Sequence, residues 1–217
     1  LARRVLIAGR WERLPLTLAP AAVAAGFQAM LTSGDGGTPI LILTILLAGV
    51  GGRIIPAFLH ARLMNTAHPT RGRFGRWADL PLWSALALQL LAAPDRATGA
   101  ALILAGLAQA LRAAFWPLKC LRRGARADLA LLLIGWLWLP VGLVLAGLAQ
   151  GFALGLPEAA ARHALAMGAF GGLVLAVMAR AVMRRAPGAL RPGPAILAAF
   201  GLIQIATLLR LTGDAAL

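Results

Sequence analysis

The sequence predicts an all-α protein, a polytopic bundle of about seven transmembrane helices. Three observations lead to this prediction: the composition, a series of long apolar runs, and the uneven placement of basic residues between those runs. Hydrophobic residues make up 60% of the 217 residues, charged residues only 13%, and the mean hydropathy is +0.82. About a quarter of the residues of an ordinary soluble domain are charged. The composition therefore excludes that class.

The apolar runs divide the chain into seven predicted spans, because a spanning helix needs about 20 mostly apolar residues. The first begins like a signal peptide, but its apolar run is longer than a signal core and no clean cleavage site follows, so we expect it to be retained. The third is short and could cross with little tilt, extend into its flanks, or form a tight hairpin with the fourth. The predicted spans are 14–33, 38–59, 80–94, 98–118, 128–149, 159–183 and 194–212.

No connection is long enough to bury a second core, so residues 1–217 are predicted to form a single transmembrane helical domain. All but three of the 21 Lys and Arg residues fall on one side of the membrane, in the connections or at the span ends there, and the exceptions are Arg96, Arg162 and Arg210. Basic loops stay cytoplasmic, so we expect a cytoplasmic N-terminus and an external C-terminus. The net charge of +14 is dispersed, which favours the lipid bilayer and its anionic headgroups over nucleic acid as partners.

Small residues on the sixth span predict a close helix contact. Gly168 and Gly172 form a GxxxG step, to which Gly171 adds. Such steps let a neighbouring backbone approach closely in a membrane. We therefore expect Gly168 and Gly172 to face another helix.

His163 and Met167 are the candidate metal ligands. They lie one turn apart near the start of the sixth span, and the same helical stripe continues through Phe170, Val174 and Met178. An imidazole and thioethers on one face could bind haem iron or Cu(I). The alternative is an interfacial histidine above an ordinary packing face, in which methionine fills gaps.

Arg53 and Arg180 are candidate cofactor-binding residues at the predicted cytoplasmic ends of the second and sixth spans. The planar guanidinium of an arginine at this depth can pair with a carboxylate, such as a haem propionate. Alternatively, each arginine extends to phosphate headgroups. Gly51 and Gly52 beside Arg53 would allow another group to approach closely.

The acidic residues show no arrangement typical of catalysis. All seven are predicted in loops or at helix ends, so we expect no relay of buried carboxylates across the bilayer, which disfavours a proton-coupled transporter. No set of nucleophile, base and acid is visible either. The sequence leaves open whether the chain is an enzyme.

Three stretches together resemble the NnrS family of bacterial membrane proteins. They are VGGRIIPAF (50–58), LIGWLWLPVGLVL (133–145) and HALAMGAFGGLVLAVMARA (163–181), and the segments between them are similar in order and spacing. The resemblance covers nearly the whole chain and corresponds to the C-terminal portion of the family. It departs from the family pattern at Leu133, where a histidine is typical, and at RRAPG (184–188), where the family has Gly-His-Thr-Gly-Arg.

The resemblance implies a haem- and copper-containing protein of the bacterial inner membrane that takes part in the nitric oxide response. It also implies a further N-terminal helical portion with a His-rich motif, in which the remaining ligands would lie. The expected protein partner is that portion or, alternatively, further copies of the chain in a homo-oligomer. Among the histidines that the family would place in this half, His163 is retained. A competing hypothesis is a metal-free paralogue that serves as a transporter subunit or a scaffold.

Overall fold

A computed structural model describes residues 21, 24–26, 28, 31, 36–62, 75, 77–116, 118, 127–152, 155–186 and 189–214. Within these ranges the fold is an all-α bundle, as predicted. The first four helices are α1 (Gly37–Arg62), α2 (Leu80–Leu90), α3 (Asp95–Ala114) and α4 (Ala127–Gly151). A fifth, α5 (Glu158–Val182), precedes a hairpin of β1 (Arg184–Ala186) and β2 (Ala189–Arg191), and α6 (Pro194–Asp214) follows it.

Five of these helices, α1, α3, α4, α5 and α6, are long and apolar enough to cross a membrane. Their positions agree with five of the predicted spans to within a few residues. The predicted first span, 14–33, lies mostly outside the described residues, although positions 21, 24–26, 28 and 31 are helical. The count of seven spans therefore stays a prediction.

The short third span is the place where the helix boundaries differ most from expectation. Helix α2 has 11 residues and ends at Leu90, so it is shorter than the roughly 20 residues that a crossing needs. Ala92 adopts a left-handed conformation (φ 49°), the Ala93 N–H donates to the Leu88 carbonyl, and the Ala92 N–H donates to Gln89. These bonds form a Schellman motif, which ends helices. Of the three arrangements considered, the tight hairpin with α3 is the one observed.

Helix α4 lies at the centre of the bundle, in contact with α1, α3 and α5. Its contact with α3 is made through glycine backbones. A Cβ atom built on Gly99 would lie 2.6 Å from the Gly147 carbonyl oxygen, and one on Gly106 would lie 2.8 Å from the Pro140 carbonyl oxygen. Side chains at these positions would separate the helices, so glycine is required by the close approach.

The predicted contact of Gly168 and Gly172 with a neighbouring helix is confirmed. A Cβ atom on Gly168 would lie 2.5 Å from Cγ of Trp138 on α4, and one on Gly172 would lie 3.5 Å from the Gly135 Cα atom. Gly171 does not share this role, because a Cβ atom there would approach only Ala166 of its own helix, at 3.5 Å. Two of these three glycines, Gly168 and Gly172, therefore lie in contact with neighbouring helices.

Two local features were not predicted from the sequence. Helix α5 is α-helical over Glu158–His163, π-helical over Ala164–Gly171 and α-helical again over Gly172–Val182. After it, β1 and β2 pair antiparallel, with Arg184 opposite Arg191 and Arg185 opposite Leu190. Strand β1 holds the first three residues of the RRAPG stretch at which the sequence departs from the family pattern. A two-stranded hairpin leaves the fold class unchanged.

The helices alternate in direction, as the charge pattern requires. Arg180 near the end of α5 contacts both Asp128 at the start of α4 and Phe58 near the end of α1. Asp79, just before α2, contacts Arg112 near the end of α3. The ends of α1, α3 and α5 therefore lie with the starts of α2 and α4 at one end of the bundle, which we call the ionic end.

We predict that the ionic end faces the cytoplasm. In a Cys120→Ser background, cysteines replacing Arg73 and Arg123 should react with a membrane-impermeant thiol reagent only from the cytoplasmic side. A cysteine replacing Asp95, between α2 and α3, should react only from outside. Labelling of the Asp95 and Arg123 positions from the same face would contradict the predicted orientation.

Replacing Gly99 by alanine should separate α3 from α4. The new methyl group would meet backbone atoms that cannot move aside, so we expect a loss of about 1–3 kcal/mol, measured as a lower thermal unfolding temperature in detergent. The matched control is Gly201→Ala on α6, where a Cβ atom would meet nothing within 4 Å. Equal unfolding temperatures for the two variants would show that the contact does not need glycine.

Candidate functional site

The four candidate residues lie in two groups at opposite ends of the bundle, as their positions in the predicted spans imply. His163 and Met167 lie near the start of α5, whereas Arg180 lies near its other end. At 1.5 Å per residue, the 13 residues from Met167 to Arg180 correspond to about 20 Å. Arg53 lies in the second half of α1, towards the ionic end. No single metal ion can contact all four side chains.

His163 and Met167 sit where α5 changes its winding. His163 is the last residue of the first α-helical part, Met167 lies within the π-helical part, and both are half-buried. The rest of the predicted stripe turns outward: Phe170 and Val174 are exposed, and Met178 is 64% exposed. Short π-helical segments are frequent at functional sites. The stripe is therefore an outer face of the bundle with the candidate ligands at one end of it.

Arg180 already has a carboxylate partner within the chain. Its guanidinium donates to Oδ2 of Asp128 at 2.5 Å, and its Cζ atom lies 4.2 Å from the centre of the Phe58 ring. Asp128 is fully buried and Arg180 is 12% exposed. The expectation that Arg180 pairs with a carboxylate is met by the protein itself.

Arg53 is exposed on α1, while its two neighbouring glycines face inward. The close approach expected at Gly51 and Gly52 is observed. A Cβ atom on Gly51 would lie 2.9 Å from Cζ3 of Trp136, and one on Gly52 would overlap the guanidinium of Arg112. The groups that approach are thus side chains of α4 and α3.

Arg112 forms a second buried ion pair that sequence reasoning missed. The charge pattern counts it among the basic residues that follow the fourth apolar run, whereas the structure places it inside α3, where it is 4% exposed. Its Nη1 donates to Oδ1 of Asp79 at 2.8 Å and to the Ala48 carbonyl oxygen at 3.4 Å. Gln109, one turn earlier, donates to the same Asp79 oxygen and to the Ala78 carbonyl oxygen, each at 3.0 Å.

Two tryptophans pack beside this ion pair. The rings of Trp116 and Trp136 are 4.9 Å apart between centres, and the Arg112 guanidinium carbon lies 6.0 Å from the Trp136 ring. Trp136 is fully buried, and among the described residues its Nε1 has no hydrogen-bond acceptor. The aromatic faces give the arginine a further favourable contact away from water.

In each ion pair the arginine and the aspartate neutralise one another, and together the two pairs connect five helices at the ionic end. A charge inside a membrane protein is stable when it is paired or hydrogen-bonded, and each of these arginines is paired. The five acidic residues that the structure describes lie at helix ends, as predicted, but Asp128 is fully buried and Asp79 is only 18% exposed. Their arrangement supports packing.

The sequence did contain a signal for these contacts. Gln109 and Arg112 are three residues apart in an otherwise apolar helix, a spacing that puts both on one face. Asp128 begins α4 and Arg180 lies in the last turn of α5, so antiparallel neighbours bring them to the same end. The alternating helix directions predicted from the charge pattern would therefore have been enough to suggest the pair of Asp128 and Arg180.

The opposite end of the bundle holds a cavity of about 170 Å³. Helices α1 to α5 all contribute to its wall. Its polar groups are Gln89 of α2, Gln150 of α4, and Glu158 and Arg162 of α5, the last two forming an ion pair with one another. That pair is largely exposed, with 43% of Arg162 and 59% of Glu158 accessible. It lies at the predicted external side.

Replacing Asp128 by asparagine should destabilise the bundle strongly. Arg180 would lose its carboxylate, and breaking a buried pair in this way costs about 3–5 kcal/mol. The control is Glu158→Gln, because an exposed pair contributes at most about 1 kcal/mol. Thermal unfolding in detergent measures both, and the double variant Asp128→Leu/Arg180→Leu should recover part of the loss. Equal effects of the two single variants would contradict a buried ionic contact.

Comparison with known proteins agrees with the resemblance seen in the sequence. No curated protein and no solved structure matches the chain. The model of the family described as NnrS protein matches residues 1–217. That match includes the helix carrying His163 and both buried ion pairs. The chain therefore belongs to the NnrS family.

Proposed function

We propose that this protein acts in the nitric oxide response of a bacterium, as a multi-pass protein of the inner membrane, through a copper or haem centre that uses His163. The observation that carries the proposal is the family match over residues 1–217. The cytoplasmic N-terminus and the anionic headgroups as partners of the basic loops belong to the same proposal. They rest on the distribution of Lys and Arg described above.

His163 and Met167 would suit a copper ion better than they would suit a haem as a pair. Imidazole and thioether are donors that Cu(I) accepts, and two residues four apart project from the same side of a helix. A haem would be held on this side of the helix by His163 alone. In this proposal Met167 completes a copper site, or His163 alone binds a haem whose second ligand comes from elsewhere.

Further ligands would come from an N-terminal helical portion or from a second copy of the chain. Arg53 has an exposed guanidinium and is the proposed partner of a haem propionate. Arg180 suits this role less well, because Asp128 already neutralises it at 2.5 Å. Both arginines are too far from His163 to touch the same metal ion, although a propionate extends away from the iron.

A metal-free transporter subunit or scaffold is the second candidate. The observation that favours it is the internal pairing of Arg180, which removes one of the proposed cofactor contacts. In this function the buried ion pairs and glycine contacts would serve to hold a rigid bundle. The two candidates differ in one measurable property, the presence of a metal centre.

The metal-centre proposal predicts that the purified protein, expressed with haem and copper supplied, contains one or both. His163→Ala should abolish the bound metal or the haem absorption band while leaving the thermal unfolding temperature nearly unchanged, because the half-buried imidazole lies outside the core. Met167→Leu should weaken copper binding and spare haem. Absorption spectroscopy and elemental analysis measure these effects.

The matched control replaces the other two histidines of the sequence, His60 and His68, together by alanine. This change should leave the metal content unchanged. A colourless wild-type protein free of haem and copper would overturn the metal-centre proposal and favour the scaffold. Equal losses in the control and in His163→Ala would show that His163 has no special role.

A further inference from the structure

We propose that the cavity at the predicted external end binds a small uncharged organic molecule, about the size of one six-membered ring, that carries a hydrogen-bonding hydroxyl or carbonyl group. The proposal is independent of any metal centre. It rests on the volume of the cavity, the hydrogen-bonding capacity of its wall and the balance of its charges.

The volume sets the size of the ligand. The cavity measures about 170 Å³, and an apolar protein cavity of about 150 Å³ is known to hold benzene. A much larger molecule would need the helices to move apart. The close α3–α4 contact at Gly99 and Gly147 resists such a movement, because separating the two helices would lose their van der Waals attraction.

One part of the cavity wall is apolar. Leu41 of α1, Leu102 of α3 and Leu165 of α5 line it and are each less than 10% exposed. A hydrocarbon body placed there would be removed from water, which is favourable in proportion to the apolar area buried. This part of the wall selects for a ligand with an apolar body.

Two carboxamides give the wall its unused hydrogen-bonding capacity. Gln89 and Gln150 reach the cavity from α2 and α4 and are half-buried. Within the described part of the chain, neither side chain forms a hydrogen bond. By contrast, Gln109 and Gln204, also in membrane helices, are both bonded, the latter accepting from the Trp138 indole at 2.5 Å. A carboxamide both donates and accepts, so it can bind a hydroxyl or a carbonyl oxygen.

The charges of the wall favour an uncharged ligand. Glu158 and Arg162 line the cavity and neutralise each other in an ion pair. An anion would have to compete with Glu158 for Arg162, and a cation would have to compete with Arg162 for Glu158. A ring with a hydroxyl group leaves this pair intact and uses the two carboxamides.

A series of four ligands with the same ring tests the assignment: phenol, benzene, benzoate and benzylammonium. The protein is held in lipid nanodiscs, and binding is measured as the change in thermal unfolding temperature with ligand concentration. Phenol should raise the unfolding temperature most. Gln89→Leu and Gln150→Leu should each weaken phenol binding about fivefold, as expected for the loss of one hydrogen bond, and should leave benzene binding unchanged or stronger.

The control for location is a pair of alanines on α4. Ala146 lines the cavity and Ala149, three residues on, does not. Ala146→Leu should fill the cavity and abolish the phenol effect, whereas Ala149→Leu should retain it. If Ala146→Leu unfolds, the two glutamine variants still decide the matter.

Three results would overturn the proposal. Stabilisation by none of the four ligands would show that the cavity is not a binding site. Tighter binding of benzoate or benzylammonium than of phenol would assign the site to charged ligands. Equal phenol binding by the wild type and both glutamine variants would show that the carboxamides do not recognise the ligand.

Discussion

The close approach of α3 and α4 is the contact on which the rest of the bundle depends. Gly99 and Gly147 let two backbones meet where a single methyl group would collide with a carbonyl oxygen. In lipid, helices gain little from apolar burial alone, so such close packing supplies much of their attraction. Helix α4 also contacts α1 and α5. The packing of α4 against α3 therefore helps to position Trp136 of α4, which in turn lies against the inward face of α1 at Gly51. The ion pairs and the cavity are then positioned by helices that cannot easily slide.

Charge is distributed differently at the two ends of the bundle. At the ionic end, Arg112 and Arg180 are buried and each is neutralised by an aspartate, so the charges stabilise the association of helices that begin or end there. At the other end the ion pair of Glu158 and Arg162 is largely exposed, and uncommitted carboxamides line a cavity. The buried ionic contacts that the structure describes therefore lie at the first end. The second end retains polar groups that are free to bind a ligand.

The helices could be predicted from the sequence because hydropathy depends only on local composition, and lipid requires every backbone group to be bonded within a helix. The GxxxG contact followed from local spacing for the same reason. The partners in each ion pair could not be read from local patterns, because Asp79 and Arg112 are 33 residues apart and Asp128 and Arg180 are 52 apart. The position of Arg112 inside an apolar helix marked it as a buried charge, but the charge bias alone explains it as a topology signal. The π-helical part of α5 was also missed, because α and π windings share the same composition.

The candidate site residues fall into two groups at opposite ends of the bundle, as their positions in the predicted spans imply. The structure puts the soft donors His163 and Met167 near the start of α5 and both arginines, Arg53 and Arg180, towards the ionic end, about 20 Å along the helix axis. Arg180 belongs to the packing of the bundle, since its partner Asp128 is fully buried. A test of metal binding should therefore focus on His163 and Met167, and variants of Arg180 report on stability rather than on cofactor recognition.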